Sequence, residues 1–260
     1  MTIHGLGVWG RGDGIPPGPW DFAFVIAGVR YREHTADARR RGITPYLWLG
    51  PSHWTPAEWR TTLPFIERRA REVGARGIGV DIENGWPGLG GAERRAIFRE
   101  LGRELGRIVD SGLEVIVTSF PSLPDIEVLA AAAPGKLQGN AQVYGISAQD
   151  EASFERWVAK WRVAFGEERT SLSFAAEPWG RNAWLGQPGA FSSYLHSLPG
   201  GVSAAVAWYE GTAIPPAFQQ EINAWNATRS YTEGMPAWVG PVLGGLAAVA
   251  VVAGVWVSRR

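Results

Sequence analysis

A repeat of pattern, with no repeat of residues, constrains this chain most: short apolar runs alternate with stretches of helical periodicity up to residue 227. The runs 3–9, 21–29, 43–49, 77–82, 113–119, 141–146, 170–176 and 202–208 have the length and composition of buried strands. Between and after them, segments 34–41, 55–73, 92–110, 123–133, 151–165, 190–197 and 216–227 read as helices. Local signals agree: Gly42 ends the first helix, while Thr55, Pro56 and Glu58 form a start signal for the second. In 92–110, Ile97, Leu101, Leu105 and Ile108 recur on one face. Strands joined by helical crossovers run parallel, and eight such units, the first with a loop in place of its helix, close into an α/β (β/α)8 barrel, with an open doubly wound sheet as the alternative.

Composition narrows the function. With 25 basic and 25 acidic residues the formal charge is zero and the arginines are dispersed, which gives no footprint for nucleic acid. The chain has no cysteine, so disulfides, thiol nucleophiles and thiolate metal sites are excluded. His4, His34, His53 and His196 are isolated, with no metal-ligand spacing, and no cofactor motif is present: the glycines at 85–91 are not closed by Lys-Ser or Lys-Thr. Fourteen tryptophans suit a large core or the flat faces of sugar rings.

The organisation predicted is a barrel over 1–227, a linker over 228–236 and a transmembrane helix over 237–258. Residues 237–257 carry no charge and are long enough to cross a bilayer core of roughly 30 Å. The lipid bilayer is thus an expected partner through a single-pass C-terminal anchor. Its orientation cues oppose each other. Residues 1–14 carry no signal-peptide pattern, which leaves the barrel cytoplasmic, whereas Arg259 and Arg260 at the far end favour the reverse. Release of a phage protein at lysis, or residence in a viral membrane, would reconcile them.

The chemistry is concentrated in Gly77-Ile78-Gly79-Val80-Asp81-Ile82-Glu83. Side chains two apart on a strand share a face, so Asp81 and Glu83 project together while Val80 and Ile82 face the other way. They are either caps for the following helix or a paired acid site. A barrel pools the C-terminal ends of its strands into one site. That pooling adds Trp9, Tyr46, Trp48, Tyr144, Glu177, Trp208 and Glu210 as substrate-binding candidates. Carboxylates ringed by aromatics suit glycoside cleavage. One acid protonates the leaving oxygen, and a second carboxylate or the substrate's own acetamido oxygen stabilises the oxocarbenium-like transition state.

On these residues the chain resembles the glycoside hydrolase family 25 lysozymes. Trp20-Asp21-Phe22-Ala23-Phe24-Val25-Ile26 is similar to that family's second strand, residues 37–46 to its helix and third-strand entry, and Asp81-Ile82-Glu83 to its Asp-x-Glu motif. The resemblance covers about residues 3–227 and implies Glu83 as catalytic acid. Asp81 would assist the transition state or orient the N-acetyl group. Gly7 stands where the family has a strand-one aspartate, and only Glu210 is available for its strand-eight acid. The family 18 chitinases end their strand-four signature in Asp-x-Asp-x-Glu, of which this chain retains the last two acids. There Tyr144 and Trp208 correspond to a substrate-holding tyrosine and a floor tryptophan. The expectation is a membrane-anchored glycoside hydrolase of N-acetylated glycans, peptidoglycan first among them. The alternative is an inactive barrel that binds glycan or serves a cell envelope or virus particle structurally.

Overall fold

The computed structural model describes residues 5–10, 14–18, 20–83, 86, 88–143, 151–175 and 204–208. The strands are β1 (Gly5–Gly10), β2 (Phe22–Ile26), β3 (Thr44–Leu49), β4 (Gly77–Asp81), β5 (Glu114–Ser119), β6 (Gln138–Gln142), β7 (Thr170–Ala175) and β8 (Ala204–Trp208). Every neighbouring pair is parallel, and β8 pairs with both β7 and β1, which closes the barrel. The helices are α1 (Tyr31–Arg40), α2 (Trp59–Glu72), α3 (Gly91–Asp110), α4 (Ile126–Ala131) and α5 (Glu151–Phe165), following β2 to β6 in turn. Among the described residues no helix stands between β1 and β2. The segments predicted as helices at 190–197 and 216–227, the linker 228–236 and the apolar segment 237–258 lie outside the described residues. Among those described, no helix is long and apolar enough to cross a membrane.

Alternation along each strand builds two apolar layers. Val8, Ala23, Val25, Leu47, Leu49, Ile78, Val80, Val115 and Val117 belong to the large cluster between barrel and helices, with Leu63, Ile66, Leu101, Leu105 and Trp161 from the helices. The alternate residues fill the lumen, where Trp9, Phe22, Phe24, Tyr46, Trp48 and Ile116 form a second cluster. Its rings interlock: Trp9 stacks on Phe24 at 4.1 Å between centroids and meets Trp48 edge-on at 4.8 Å. Such pairs contribute roughly 0.5–1.5 kcal/mol each beyond the area they bury. Room comes from missing side chains. A Cβ on Gly79 would lie 3.0 Å from the Phe24 ring.

Two elements depart from the sequence expectation. The second helix does not begin at Thr55. A short 3-10 turn (Pro51–Trp54) comes first, held by the Trp54 indole N–H donating to the Leu49 carbonyl at 3.0 Å, and the regular helix starts at Trp59. The Thr55 hydroxyl meets the Glu58 carboxylate at 3.1 Å, so the start signal shapes the approach instead of capping the helix. The sixth strand is shifted. It occupies Gln138–Gln142 and so starts before the predicted 141–146, of which 144–146 lie outside the described residues; its lumen-facing residues Gln138, Asn140 and Gln142 are polar, and an apolar run is the wrong signature for it.

Candidate active site

Ile78, Val80 and Ile82 are committed to the layer under the helices, so Gly77, Gly79 and Asp81 take the lumen side. Asp81 is the last residue of β4, at the C-terminal mouth of the barrel, and only 4% exposed. The chain leaving β4 is fixed to β5 at Ile82: its N–H donates to the Thr118 carbonyl at 2.8 Å, and its carbonyl accepts from the Ser119 hydroxyl. Glu83 follows, half-buried. Farther along, Trp86 is buried at a φ of 56°, an unusual left-handed conformation for a bulky residue. Its indole N–H donates to the Trp54 carbonyl at 2.8 Å and its ring packs edge-on against Phe98 of α3 at 4.8 Å. Glu83 therefore lies between two anchored points of the loop.

The electrostatics of the two acids are linked. Burial holds the Asp81 carboxyl well above the ordinary carboxylate range, the charge of Glu83 pushes the same way, and the Gln142 amide N–H opposes them. Burial raises Glu83 as well. A half-buried carboxyl that holds its proton more tightly than usual suits a general acid.

Asp81 is also the end of a polar ladder that the sequence reading missed. Gln142 Nε2 donates to Asp81 Oδ1 at 2.8 Å and to Thr118 Oγ1 at 3.1 Å. Thr118 Oγ1 donates in turn to Asn140 Oδ1 at 3.2 Å, and the Ser173 hydroxyl donates to that same oxygen. Asn140 Nδ2 donates to Ser171 Oγ at 2.8 Å, and the Trp9 indole N–H reaches Ser173 Oγ at 3.3 Å. The ladder crosses β4, β5, β6, β7 and β1. Its signal in the sequence is the period-two spacing of Gln138, Asn140 and Gln142, repeated in Ser171 and Ser173.

The other expected site residues are placed differently. Trp9 and Trp48 stand near the C-terminal ends of β1 and β3, but both are buried in the lumen cluster, and the Trp48 indole N–H donates to the Gly10 carbonyl at 3.3 Å. Tyr46 lies away from the acid pair. Its hydroxyl donates to Glu114 Oε2 at 2.6 Å, at the start of β5 and so toward the opposite end of the barrel. Burial and the neighbouring Glu114 carboxylate raise the Tyr46 phenol. Trp208 ends β8, paired with Ala175; its side chain, together with Tyr144, Glu177 and Glu210, lies outside the described residues. Gly7, the position of the missing strand-one acid, is covered by Phe22: a Cβ there would fall 2.2 Å from the ring. Among the described residues no three His, Asp or Glu side chains converge in a way that could hold a metal ion.

No protein-family model matches the chain, and no curated protein sequence matches it. Solved structures do. The chain is similar to an endo-β-N-acetylglucosaminidase from Cordyceps militaris, with a TM-score of 0.58 at 16% identity over 87% of this chain and 92% of that one. A mutant of the same enzyme in complex with fucosyl-N-acetylglucosamine-Asn matches at 17% identity with the same TM-score and coverage. The glycoside hydrolase domain of PelA from Pseudomonas aeruginosa matches with a TM-score of 0.55 at 13% identity, over 83% of this chain and 96% of that domain. At these identities the likeness is one of fold: an α/β barrel whose similar structures include glycoside hydrolases.

Proposed function

We propose that the chain is a glycoside hydrolase of N-acetylated glycans, with Glu83 as general acid and Asp81 as its assistant. The observation that carries this reading is the pair itself: two carboxyls on one strand end at the barrel mouth, both held above the ordinary range. Glu83 would give its proton to the glycosidic oxygen as the bond to the anomeric carbon breaks. With Phe22 filling the space beside Gly7, a strand-one carboxylate cannot stabilise the anomeric carbon. The substrate's acetamido oxygen is then the nearest nucleophile, and water later opens that adduct, returning a proton to Glu83. The similar structures support the substrate class in their own terms: one is named for N-acetylglucosamine, and its ligand complex carries Asp-to-Asn and Glu-to-Gln changes at two-residue spacing, the spacing of Asp81 and Glu83.

Peptidoglycan is the substrate to try first, with the segment 237–258 as the membrane anchor that keeps the barrel near it. Glu83→Gln in the full chain should abolish release of reducing ends from cell-wall glycan while leaving the far-ultraviolet circular dichroism unchanged. Undiminished release would remove Glu83 from the mechanism. The ring of Phe22 over Gly7 favours a second reading, a glycan-binding barrel without turnover; binding of N-acetylated oligosaccharide with no reducing ends released would establish it.

A further inference from the structure

Gln142 Oε1 is buried and has no hydrogen-bond partner, although the Nε2 of the same amide is bonded twice. A buried acceptor left unpaired loses the hydrogen bonds that water would have given it, so a donor is to be sought among its neighbours. Among the described residues the hydroxyl donors of the ladder are already used. Thr118 Oγ1 gives its proton to Asn140, as does Ser173, and the Ser171 hydroxyl donates to the Gly139 carbonyl. Residue 142 is 2% exposed, which keeps solvent and glycan from the oxygen. Among the described residues the remaining source is the carboxyl that Gln142 already touches.

We propose that Asp81 and Gln142 form a closed acid–amide pair, in which Asp81 keeps its proton and donates it to Gln142 Oε1 while Gln142 Nε2 donates to Asp81 Oδ1. A carboxylic acid and a primary amide are planar forks of matching span. The bond at 2.8 Å already joins one arm of each fork, and the pair is completed by the Asp81 O–H facing Gln142 Oε1. Gln142 is then the positioning residue of the acid pair, and it is itself braced by Thr118. Among the described residues Glu83 is the one charged side chain acting on Asp81. The groups from β5 and β6 on the ladder (Thr118, Asn140 and Gln142) carry no charge. A neutral Asp81 removes the repulsion that a second carboxylate would exert on Glu83 as it becomes an anion. Burial and the charge of Glu83 both favour the protonated form.

This deepens the reading of the same site, but the test needs no turnover. Infrared spectra of the full-length protein at neutral pH are compared for wild type, Asp81→Asn, Gln142→Leu and Glu83→Gln, the last identifying any protonated band of Glu83. The expected result is a protonated-carboxyl C=O band that survives Glu83→Gln, disappears in Asp81→Asn, and shifts or vanishes in Gln142→Leu. A band absent from the wild type, or one that Gln142→Leu leaves in place, would overturn the pair. If Gln142→Leu does not fold, Gln142→Met serves instead, and the comparison of wild type with Asp81→Asn decides alone if the band is absent. A glycan-binding barrel without activity would still show the band, so failure of the function and failure of the pair are told apart.

Discussion

The ring of Phe22 occupies the space that a side chain on Gly7 would need, with 2.2 Å between its Cε2 and Cζ atoms and the position of a Cβ. The acid that the family 25 pattern puts on strand one therefore cannot be restored by a single change. Gly7→Asp must displace a lumen ring and bury a carboxyl beside it, and overpacking alone costs about 1–3 kcal/mol. Urea unfolding should register at least that loss, with no gain in glycan turnover. An Asp variant as stable as wild type would contradict the packing described.

Asp81→Asn should alter how stability depends on pH. The folded-state value of Asp81 is raised above its unfolded value. As pH climbs from the unfolded value, about 4, towards the folded one, the unfolded chain releases its proton first and wild-type stability falls. Asparagine has no such proton to lose. Thermal unfolding across that window should show the variant gaining on wild type as pH rises, and Glu83→Gln, half-exposed in origin, should change the slope in the same sense but less. Parallel curves for Asp81→Asn and wild type would mean that the carboxyl is not raised.

Trp86→Phe keeps a ring against Phe98 but removes the N–H that reaches Trp54. The net cost of that hydrogen bond is about 0.5–1.5 kcal/mol. Trp86→Ala, which also empties the ring site, should cost about 3–5 kcal/mol. If the anchor holds Glu83 in place, Trp86→Phe should lower kcat more than it changes KM. Differential scanning calorimetry and steady-state kinetics on the same preparations separate the two effects.

Tyr46→Phe addresses the other end of the lumen. Glu114 retains its ion pair with Arg76 at 2.7 Å when the phenol is removed, so the loss should be that of one ordinary hydrogen bond, about 0.5–1.5 kcal/mol. Chemical denaturation measures it. A loss several times larger would mean that Glu114 depends on Tyr46 and not on Arg76.

Much of the barrel was legible in the sequence because its outer layer obeys simple alternation. In β4, Ile78 and Val80 define one face, and that alone places Asp81 on the other. The same rule failed for β6, where the lumen side is Gln138, Asn140 and Gln142. The residue that holds Asp81 was thus hidden in a strand whose period-two signal is polar. The aromatics misled for a different reason. A tryptophan or tyrosine near a strand end suits a sugar platform and a barrel core equally well, and the choice depends on space across the lumen. Gly7 and Gly79 supply that space, but their partners Phe22 and Phe24 are known only once β1 to β4 are paired. The strain at Trp86 likewise has no sequence mark, since its conformation is imposed by contacts with Trp54 and Phe98.

The lumen is divided: rings from β1 to β3 fill one side, and hydroxyls and amides from β5 to β7 fill the other. Tight ring packing opens only when many contacts are lost together, whereas a ladder of hydrogen bonds can open a bond at a time. Amide hydrogens of β2 and β3 should accordingly exchange only through global unfolding, and those of β6 and β7 through smaller openings. The acid pair leaves the barrel from β4, at the boundary between the two regimes, with rigid backbone on one flank and a wall able to breathe on the other.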